Sequence, residues 1–308
     1  MAKVTVIIPN YNHADYLLQR LETIRLQTYN DWEAIIIDDA STDQSVSLIT
    51  DYLNSNTFPL KEFIKQKENS RSGYLSWQKG INIAESQYIW IAETDDYCEP
   101  EFLQEAIEAL EANPNANLAF TASHYVDEKG GLLYNTDKRF SVLNIAENSV
   151  SSYKGNRLTD ALPLQPLITN GSAVVFRNPK NVLPNDLFQN KQLSDLFLWR
   201  YLLMDKDFVC INKKLNYFRR HGESTTTKNF NNNSHTIYQE YSKFANYFNV
   251  DQAMNKAIVN HYAKHFLIPN RKSVGLFHLE PVDDIRLSKL VKFTILVKQY
   301  IKQITKRR

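Results

Sequence analysis

The first part of the chain alternates short apolar runs with segments whose apolar residues recur at helical spacing. Val4 to Ile8 is a run rich in β-branched residues, and it ends at Pro9, which cannot donate a hydrogen bond to a strand ladder. Leucine and isoleucine then recur three and four residues apart from about His13 to Gln27, which predicts a helix. Strands that alternate with helices of about 10 to 15 residues indicate βαβ units, and therefore a mixed, mainly parallel α/β sheet flanked by helices.

The same alternation continues to about residue 125 and then weakens. The further strands are predicted at Trp32 to Ile37, Phe63 to Lys65, Ile89 to Ile91, Leu118 to Ser123 and Ala173 to Phe176. The further helices are predicted around Val46 to Leu53, Ser72 to Glu85, Glu101 to Ala112 and Leu193 to Met204. Tyr125 to Tyr134 is typical of a hairpin or loop excursion, and Thr136 to Pro166 has no periodicity, which indicates a long functional loop. Phe208 to Arg219 predicts one or two short strands.

A domain boundary is expected where the composition turns polar, at Asn229 to Asn233. Residues 1–228 would then form the α/β domain, and residues 229–308 a helical C-terminal region. The tail from Lys289 to Arg308 carries seven basic and no acidic residues among spaced isoleucines and valines, which is typical of a basic amphipathic helix. Such a helix suits an anionic membrane surface. Packing against the domain, or a homodimer contact, would explain the same pattern equally well.

Charge and cysteine content narrow the class of protein. The 308 residues contain 36 basic and 34 acidic side chains, and the net charge of +2 argues against a dedicated nucleic-acid binder. Cys98 and Cys210 cannot form a disulfide framework, which favours a reducing compartment. Only five residues separate Lys3 from Pro9, too few for a signal-peptide core, and no apolar run approaches the length of a membrane span. We therefore expect a cytoplasmic protein, at most peripheral on the cytoplasmic face of the inner membrane.

Polar clusters follow three of the predicted strands. They are Pro9 to Asn12, Asp38 to Thr42, and Thr94 to Asp96, the last directly after the apolar Ile89 to Ile91 and Glu93. The carboxyl ends of parallel strands meet at one edge of a sheet, where ligands bind in open α/β folds. No glycine-rich phosphate loop is present, so a divalent cation on the adjacent carboxylates is the expected phosphate anchor. The alternative is ordinary turn chemistry, or a helix N-cap at Asp96 or Glu99 before Pro100.

The three segments VTVIIPNYNHADYL, WEAIIIDDASTDQS and YIWIAETDDYCEP resemble the nucleotide-sugar-binding half of family 2 glycosyltransferases with the GT-A fold. The resemblance is strong over residues 3–125, weaker to about residue 225 and absent beyond. It implies a nucleotide-sugar-binding half at 1–125 and an acceptor-binding half at 126–228. It also implies a metal-dependent, inverting hexosyltransferase that uses manganese or magnesium and a nucleotide-sugar donor, expected to be UDP-linked. The expected acceptor is a saccharide or lipid-linked glycan, as in bacterial surface-polysaccharide synthesis.

The resemblance also assigns roles to single residues. Pro9, Tyr11 and Asn12 would surround the nucleoside, with Tyr11 suited to stack on the base. Asp39 would accept a hydrogen bond from the uracil edge, with Ser41 nearby. Asp95 and Asp96 match the DXD motif, which implies that Asp96 binds the metal and Asp95 faces the ribose. The segment NSRSGYLSWQKGI departs from the usual pattern of the family. Here Lys79, or else Arg71, would supply positive charge near the diphosphate. The alternative is that Lys79 is simply a solvated helix residue.

The later chain supplies the remaining candidates by the same resemblance. In QLSDLFLWRYLL, Asp195 matches the family's catalytic base, although Ser194 replaces the usual first acid. NYFRRHGESTT implies that His221 completes the metal shell, with Arg219 or Arg220 near the phosphates, and residues 170–173 would line the donor sugar. Asp195 could instead only decorate a helix start, and His221 could be structural. The rival functions are a nucleotidyltransferase, which would need a Gly- and basic-rich N-terminal signature, and a non-catalytic nucleotide- or glycan-binding scaffold.

Overall fold

Strands and helices alternate along the first half of the chain in a computed structural model that describes residues 2–180, 183–222 and 234–262. The strands are β1 Val4–Asn10, β2 Trp32–Asp38, β3 Leu60–Lys65, β4 Tyr88–Ile91, β5 Tyr97–Cys98, β6 Ala116–Val126, β7 Leu132–Asn135, β8 Val150–Lys154, β9 Val174–Arg177 and β10 Asp207–Arg219. The helices are α1 Ala14–Arg25, α2 Ser45–Ser55, α3 Gly73–Ile83, α4 Phe102–Ala112, α5 Asp137–Phe140, α6 Asn156–Thr159, α7 Ser194–Leu202, α8 Ser234–Tyr247 and α9 Gln252–Tyr262. Short 3₁₀ turns occupy Ser141–Leu143, Gly171–Ala173 and Asn185–Phe188.

All ten strands belong to one mixed sheet. Its main order is β3-β2-β1-β4-β9-β6-β10-β5, and β7 and β8 pair with β6 and β10. The ladders among β1, β2, β3 and β4, and the long ladder between β6 and β10, are parallel. The ladders that β5, β7, β8 and β9 form are antiparallel. Most paired residues lie in parallel ladders, so the predicted mixed, mainly parallel α/β sheet with flanking helices is confirmed.

The helices cover both faces of this sheet because side chains alternate along each strand. Val4, Val6 and Ile8 of β1 lie in one core cluster together with the apolar faces of α1, α2 and α4. The intervening Ile7 faces α3, and it approaches the helix so closely that a Cβ at Gly80 would lie 2.5 Å from the Ile7 side chain. The absence of a side chain at Gly80 therefore sets the distance between α3 and the sheet.

The chain between residues 136 and 166 contains more structure than its sequence indicates. It forms α5, a 3₁₀ turn, β8 and α6, and β8 pairs with the first half of β10. Phe140 and Leu143 are buried there, and the Phe140 ring contacts Phe120 edge-on. These apolar anchors are too widely spaced to show a helical or strand period. The interpretation of this segment as one long loop is therefore wrong in its local structure.

Residues 1–222 form one compact unit and residues 223–308 another. In the second unit α8 packs on α9, and the Tyr238 hydroxyl lies 2.9 Å from Nδ1 of His261. The predicted boundary at 228/229 and the basic tail at 289–308 both lie outside the described residues. Within the described part, no helix is at once long enough and apolar enough to cross a membrane.

Candidate active site

The loops after β1 and β2 are bonded to each other at the carboxyl edge of the sheet. The side chain of Asn10 donates to Asp38 Oδ2 at 2.8 Å, and Ser41 Oγ donates to the same oxygen at 2.6 Å. Asn12 adopts a positive φ of 54° and accepts a hydrogen bond from the Thr42 backbone at 2.7 Å through its Oδ1. The structure thus brings the first two predicted clusters together, as the parallel pairing of β1 and β2 requires.

Tyr11 and Pro9 contribute to this edge in different ways. Tyr11 is 42% exposed, which leaves its ring accessible for stacking on a base. The Pro9 carbonyl accepts a hydrogen bond from the Thr94 hydroxyl at 2.6 Å, which links the first loop to the loop after β4. Asn12 and Ser41 are engaged in bonds between the loops, so their contribution to a nucleoside site would be to shape it.

Asp39 is buried and anchors the segment that precedes α3. Its carboxylate accepts hydrogen bonds from the Gln66 and Asn69 side chains and from the backbone and hydroxyl of Ser70. A carboxylate offers about four lone-pair sites, and these donors use most of them. The expected bond from Asp39 to a base edge stays a prediction. It requires one of these donors to move when a nucleotide binds.

The third cluster separates two adjacent carboxylates into different environments. Asp96 is 2% exposed and accepts hydrogen bonds from the Asn170 side chain and, at 2.9 Å, from the Arg219 backbone. Asp95 has a side chain 17% exposed, and its Oδ2 lies 3.0 Å from Nε2 of His221. Asp96 is therefore turned toward buried donors, and Asp95 toward the accessible edge. The expected assignment of Asp96 to the metal and Asp95 to the ribose stays a prediction, and these two environments do not favour it.

Three residues at this edge could hold a metal ion. One potential ligand atom each from His13, Asp95 and His221 lies within 4.8 Å of the other two. Imidazole nitrogens with a carboxylate oxygen form a donor set that suits divalent transition metals, manganese among them. Burial raises the pKa of Asp95, but the His221 hydrogen bond and the positive charge of His13 lower it more, so the net shift is downward. A carboxylate that stays ionised is suited to bind a cation.

Glu93 and a buried arginine lie behind this cluster. Burial raises the pKa of Glu93 well above its usual value, and the charges of Asp96, Asp95 and Asp195 raise it further. Arg20 of α1 is fully buried and donates from Nε to the Glu93 carbonyl at 3.0 Å. Its guanidinium also lies over the Trp90 ring, 5.1 Å from the centroid. Arg20 thus partly balances the charge of the acidic cluster from inside the protein.

The metal-free protein should lose stability as the pH rises from about 4 to 7. Burial and the neighbouring Asp95 carboxylate raise the pKa of Asp96 to about 7. The folded state then binds more protons than the unfolded state between about pH 4 and 7, so stability falls as pH rises through that range. We expect the Tm of the wild type, measured in a chelator, to fall over this pH range. The Tm of Asp96→Asn should fall less steeply. A wild-type Tm that is flat over the range, or an equal slope in the variant, would contradict this.

Asp195 reaches the same edge from the other face of the sheet. It is the second residue of α7, is half-buried, and its charge acts on Glu93. Oδ1 of Asp195 accepts a hydrogen bond from the Leu196 backbone at 2.8 Å and lies 3.5 Å from the Tyr74 hydroxyl. The N-cap position of α7 is Leu193, so Asp195 does not occupy it. The charge of Asp195 therefore acts on the acidic cluster, and its role as the base stays a prediction.

Two of the groups expected near the phosphates, Lys79 and Arg219, have different surroundings in the structure. Lys79 is exposed on α3, nearly two turns beyond the first helical residue, on the side away from the buried Trp77 and Gly80. Arg219 is 3% exposed, and it donates to the Asp95 and Glu128 carbonyls and to the Gln19 side chain. Arg219 therefore holds the site together from inside. The role expected for Lys79 stays a prediction that this placement does not favour.

Residues 170–172 connect the acidic cluster to α3. A Cβ at Gly171 would lie 2.4 Å from the Trp77 ring, so only glycine permits this close approach. The Ser172 hydroxyl accepts a hydrogen bond from the Glu93 backbone at 3.1 Å, and its carbonyl accepts one from the Trp90 indole at 2.9 Å. The expected loop at 170–173 does reach the site, where Asn170 contacts Asp96 directly.

Sequence reasoning missed His13 and Arg20. The pattern predicts only the start of a helix at His13, although this residue directly follows the first polar cluster. Arg20 occupies a position on the apolar face of α1, between Leu17 and Leu21, and a basic residue on such a face is a usable signal of a buried charge.

Comparison with known proteins bears on what this edge does. Residues 5–174 match the model of a family described as glycosyl transferase family 2. A GalNAc(5)-diNAcBac-PP-undecaprenol beta-1,3-glucosyltransferase from Campylobacter jejuni is 25% identical over 263 residues, which cover 83% of this chain and 77% of the relative.

Solved structures share the fold at lower identity. Residues 1–349 of S. aureus TarS, in complex with UDP-GlcNAc, superpose with a TM-score of 0.62 at 17% identity, covering 97% of this chain and 89% of that one. A mannosyltransferase from Pyrobaculum calidifontis, in complex with GDP-Man and Mn²⁺, gives a TM-score of 0.57 at 14% identity, covering 100% and 88%. At such identities the likeness establishes a shared GT-A architecture.

Proposed function

The chain belongs to glycosyl transferase family 2, and from this premise we propose that it transfers a hexose from a UDP-linked donor to a saccharide or lipid-linked acceptor. The reaction proposed is metal-dependent and inverts the anomeric configuration. The metal is manganese or magnesium. The structural relatives support the donor class, since one was solved with UDP-GlcNAc and another with GDP-Man and Mn²⁺. The Campylobacter relative supports the acceptor class, because its name describes a lipid-linked glycan as acceptor.

One observation carries this proposal. Ligand atoms of His13, Asp95 and His221 converge within 4.8 Å, and the charge of Asp195 acts on Glu93 in the same acidic cluster. This combination of a cation site and a carboxylate within electrostatic range supports a transferase more than a simple binding scaffold.

The geometry supports Asp95, rather than Asp96, as the carboxylate ligand of the cation. Asp96 already accepts two buried hydrogen bonds, and its raised pKa favours the protonated form. We therefore assign the metal to Asp95 and His221, with His13 as a third ligand. Asp96 would hold Arg219 and Asn170 in place instead. A bound cation would supply positive charge for the diphosphate leaving group.

Transfer then needs one base for the acceptor hydroxyl. As the acceptor oxygen bonds to the anomeric carbon, the bond from that carbon to the phosphate oxygen breaks, and the hydroxyl proton passes to the Asp195 carboxylate. The Tyr74 hydroxyl, 3.5 Å away, and the Leu196 backbone keep the orientation of that carboxylate. Glu93 is a poorer base, because its raised pKa keeps its own proton bound.

A thermal-shift screen of nucleotide sugars with and without manganese tests the donor class and the metal together. We expect UDP-linked sugars to raise the Tm in the presence of manganese, because binding at a hundredfold excess over Kd stabilises the folded state by about 3 kcal/mol. The rise should be far smaller in a chelator. GDP- and CDP-linked sugars serve as matched ligands with the same diphosphate. An equal shift with and without metal would overturn the metal dependence, and a larger shift with GDP-sugars would overturn the UDP assignment.

A further inference from the structure

A second concave surface opens beside the site, at the hairpin of β6 and β7. The cleft has a volume of about 640 Å³ and is lined by Tyr125, Tyr134, Asn135, Lys138 and Arg139. This volume falls in the range of pockets that hold small molecules. We call this surface the Tyr134 cleft.

The wall of the Tyr134 cleft is an aromatic pair. Tyr125 and Tyr134 lie opposite each other in the β6–β7 ladder, and their rings stack with centroids 4.3 Å apart. Tyr125 is 4% exposed, while Tyr134 is 55% exposed. One face of the Tyr134 ring is thus covered by its partner, and the other is open. An open aromatic face held rigidly in this way can pack against the apolar face of a sugar ring.

The rim of the cleft is positive. Lys138 and Arg139 are both exposed, and no carboxylate is among the lining residues. The nearest acid in sequence, Asp137, pairs instead with Lys214 at 3.1 Å. Arg139 donates from Nη1 to the Pro166 carbonyl at 2.7 Å, which fixes the guanidinium and leaves its other nitrogens directed elsewhere. A fixed guanidinium beside an ammonium group is suited to bind a phosphoryl group.

The cleft is next to the acidic cluster. Tyr125 pairs with Phe218 in the β6–β10 ladder, and the following residue, Arg219, donates its backbone N–H to Asp96. The Thr169 side chain interacts with the Tyr125 phenol and neighbours Asn170, which contacts Asp96. The cleft therefore lies at the same carboxyl edge as Asp95, within a few residues along adjoining strands.

We propose that the Tyr134 cleft is an acceptor subsite for a sugar that carries a phosphoryl group, with the sugar ring on Tyr134 and the phosphoryl oxygens on Lys138 and Arg139. This inference rests on the proposed transfer reaction, and it narrows the acceptor to a phosphorylated glycan. A membrane surface is a less fitting occupant, because the two cations and the open ring line a concavity instead of projecting from the surface.

The test measures binding of α-glucose 1-phosphate and of methyl α-glucoside to the full chain with UDP and manganese already bound, by ligand-observed NMR. We expect the phosphorylated probe to bind at least about tenfold more tightly than the neutral one. Lys138→Ala and Arg139→Ala should each weaken its binding at least about fivefold. Tyr134→Ala should weaken both probes, and Tyr134→Phe should retain them. Lys206→Ala is the charge-matched control, since Lys206 lies at the opposite end of β10, and it should change nothing.

Three outcomes would overturn the subsite. The first is that both probes bind with equal affinity, or that every variant binds the phosphorylated probe as tightly as the wild type does. The second is loss of probe binding when UDP and manganese are added, which would place the probe in the donor site. The third is a weaker partition of the Lys138 and Arg139 variants onto phosphatidylglycerol vesicles with unchanged probe affinity, which would make the cleft a membrane contact. A separate titration with UDP and manganese distinguishes a failure of the donor site from a failure of the cleft, because the cleft variants should bind UDP as the wild type does.

Discussion

Asp95→Ala should remove the manganese-dependent part of UDP-sugar binding. Asp95 supplies the carboxylate of the His13–Asp95–His221 cluster, and its side chain is the accessible member of the Asp95–Asp96 pair. Loss of groups that merely orient metal ligands costs about 10- to 100-fold in affinity, so loss of a ligand should cost at least about 100-fold. Calorimetric titration of UDP in the presence and absence of manganese measures this, and transfer activity should fall with it.

Asp96→Asn is the matched control for that experiment. Asparagine keeps the size of the side chain and the acceptor for the Arg219 backbone, and it resembles the protonated acid that burial favours. We expect Asp96→Asn to retain manganese-dependent binding to within about tenfold. If Asp96→Asn lost that dependence while Asp95→Ala kept it, the two roles would be those that the family resemblance implied, and our assignment would fall.

Asp195→Asn should keep donor binding and lose transfer. The amide preserves the contacts with the Leu196 backbone and the Tyr74 hydroxyl but cannot accept the proton of the acceptor hydroxyl. General-base catalysis contributes about 10²- to 10⁴-fold, and a loss in that range is expected in kcat. Single-turnover transfer measures the chemical step, and calorimetry with UDP and manganese measures donor affinity, which should stay within about twofold.

Tyr74→Phe distinguishes the effect of the Asp195 carboxylate from that of the neighbouring hydroxyl. It removes the hydroxyl 3.5 Å from Asp195 without touching the carboxylate, so its effect on transfer should be below about tenfold. Undiminished turnover in Asp195→Asn would exclude Asp195 as the base. A loss of donor affinity in the same variant would instead assign Asp195 to binding.

The first half of the fold could be predicted because its pattern is local. In β1, α1 and β2, each apolar residue occupies the face that its period indicates, and parallel pairing then places the strand ends at one edge. Asn10, Asp38 and Ser41 meet there as that pairing requires. The polar clusters and the resemblance they carry therefore predict the edge at which the candidate site lies.

The second half of the sheet was less predictable because its order depends on distant partners. β5 has two residues and exists as a strand only through its pairing with β10, more than a hundred residues later. β8 has exposed and half-buried residues in alternation, so its sequence carries no strong apolar signal, and β10 supplies its ladder. Periodicity reports on burial, and it is weak where a strand is held mainly by backbone hydrogen bonds.

The sequence by itself determined the family, the α/β class and the carboxylates that gather at one edge. Only the tertiary structure decided which partners each of those carboxylates meets. Asp95 and Asp96 are adjacent in sequence, but Asp96 meets donors from residues 170 and 219, and Asp95 meets His221. Arg20 and His13 acquire their roles in the same way, from charges brought close by folding. Burial and hydrogen-bond partners set the protonation and orientation of a carboxyl group, and both are properties of its neighbours in space.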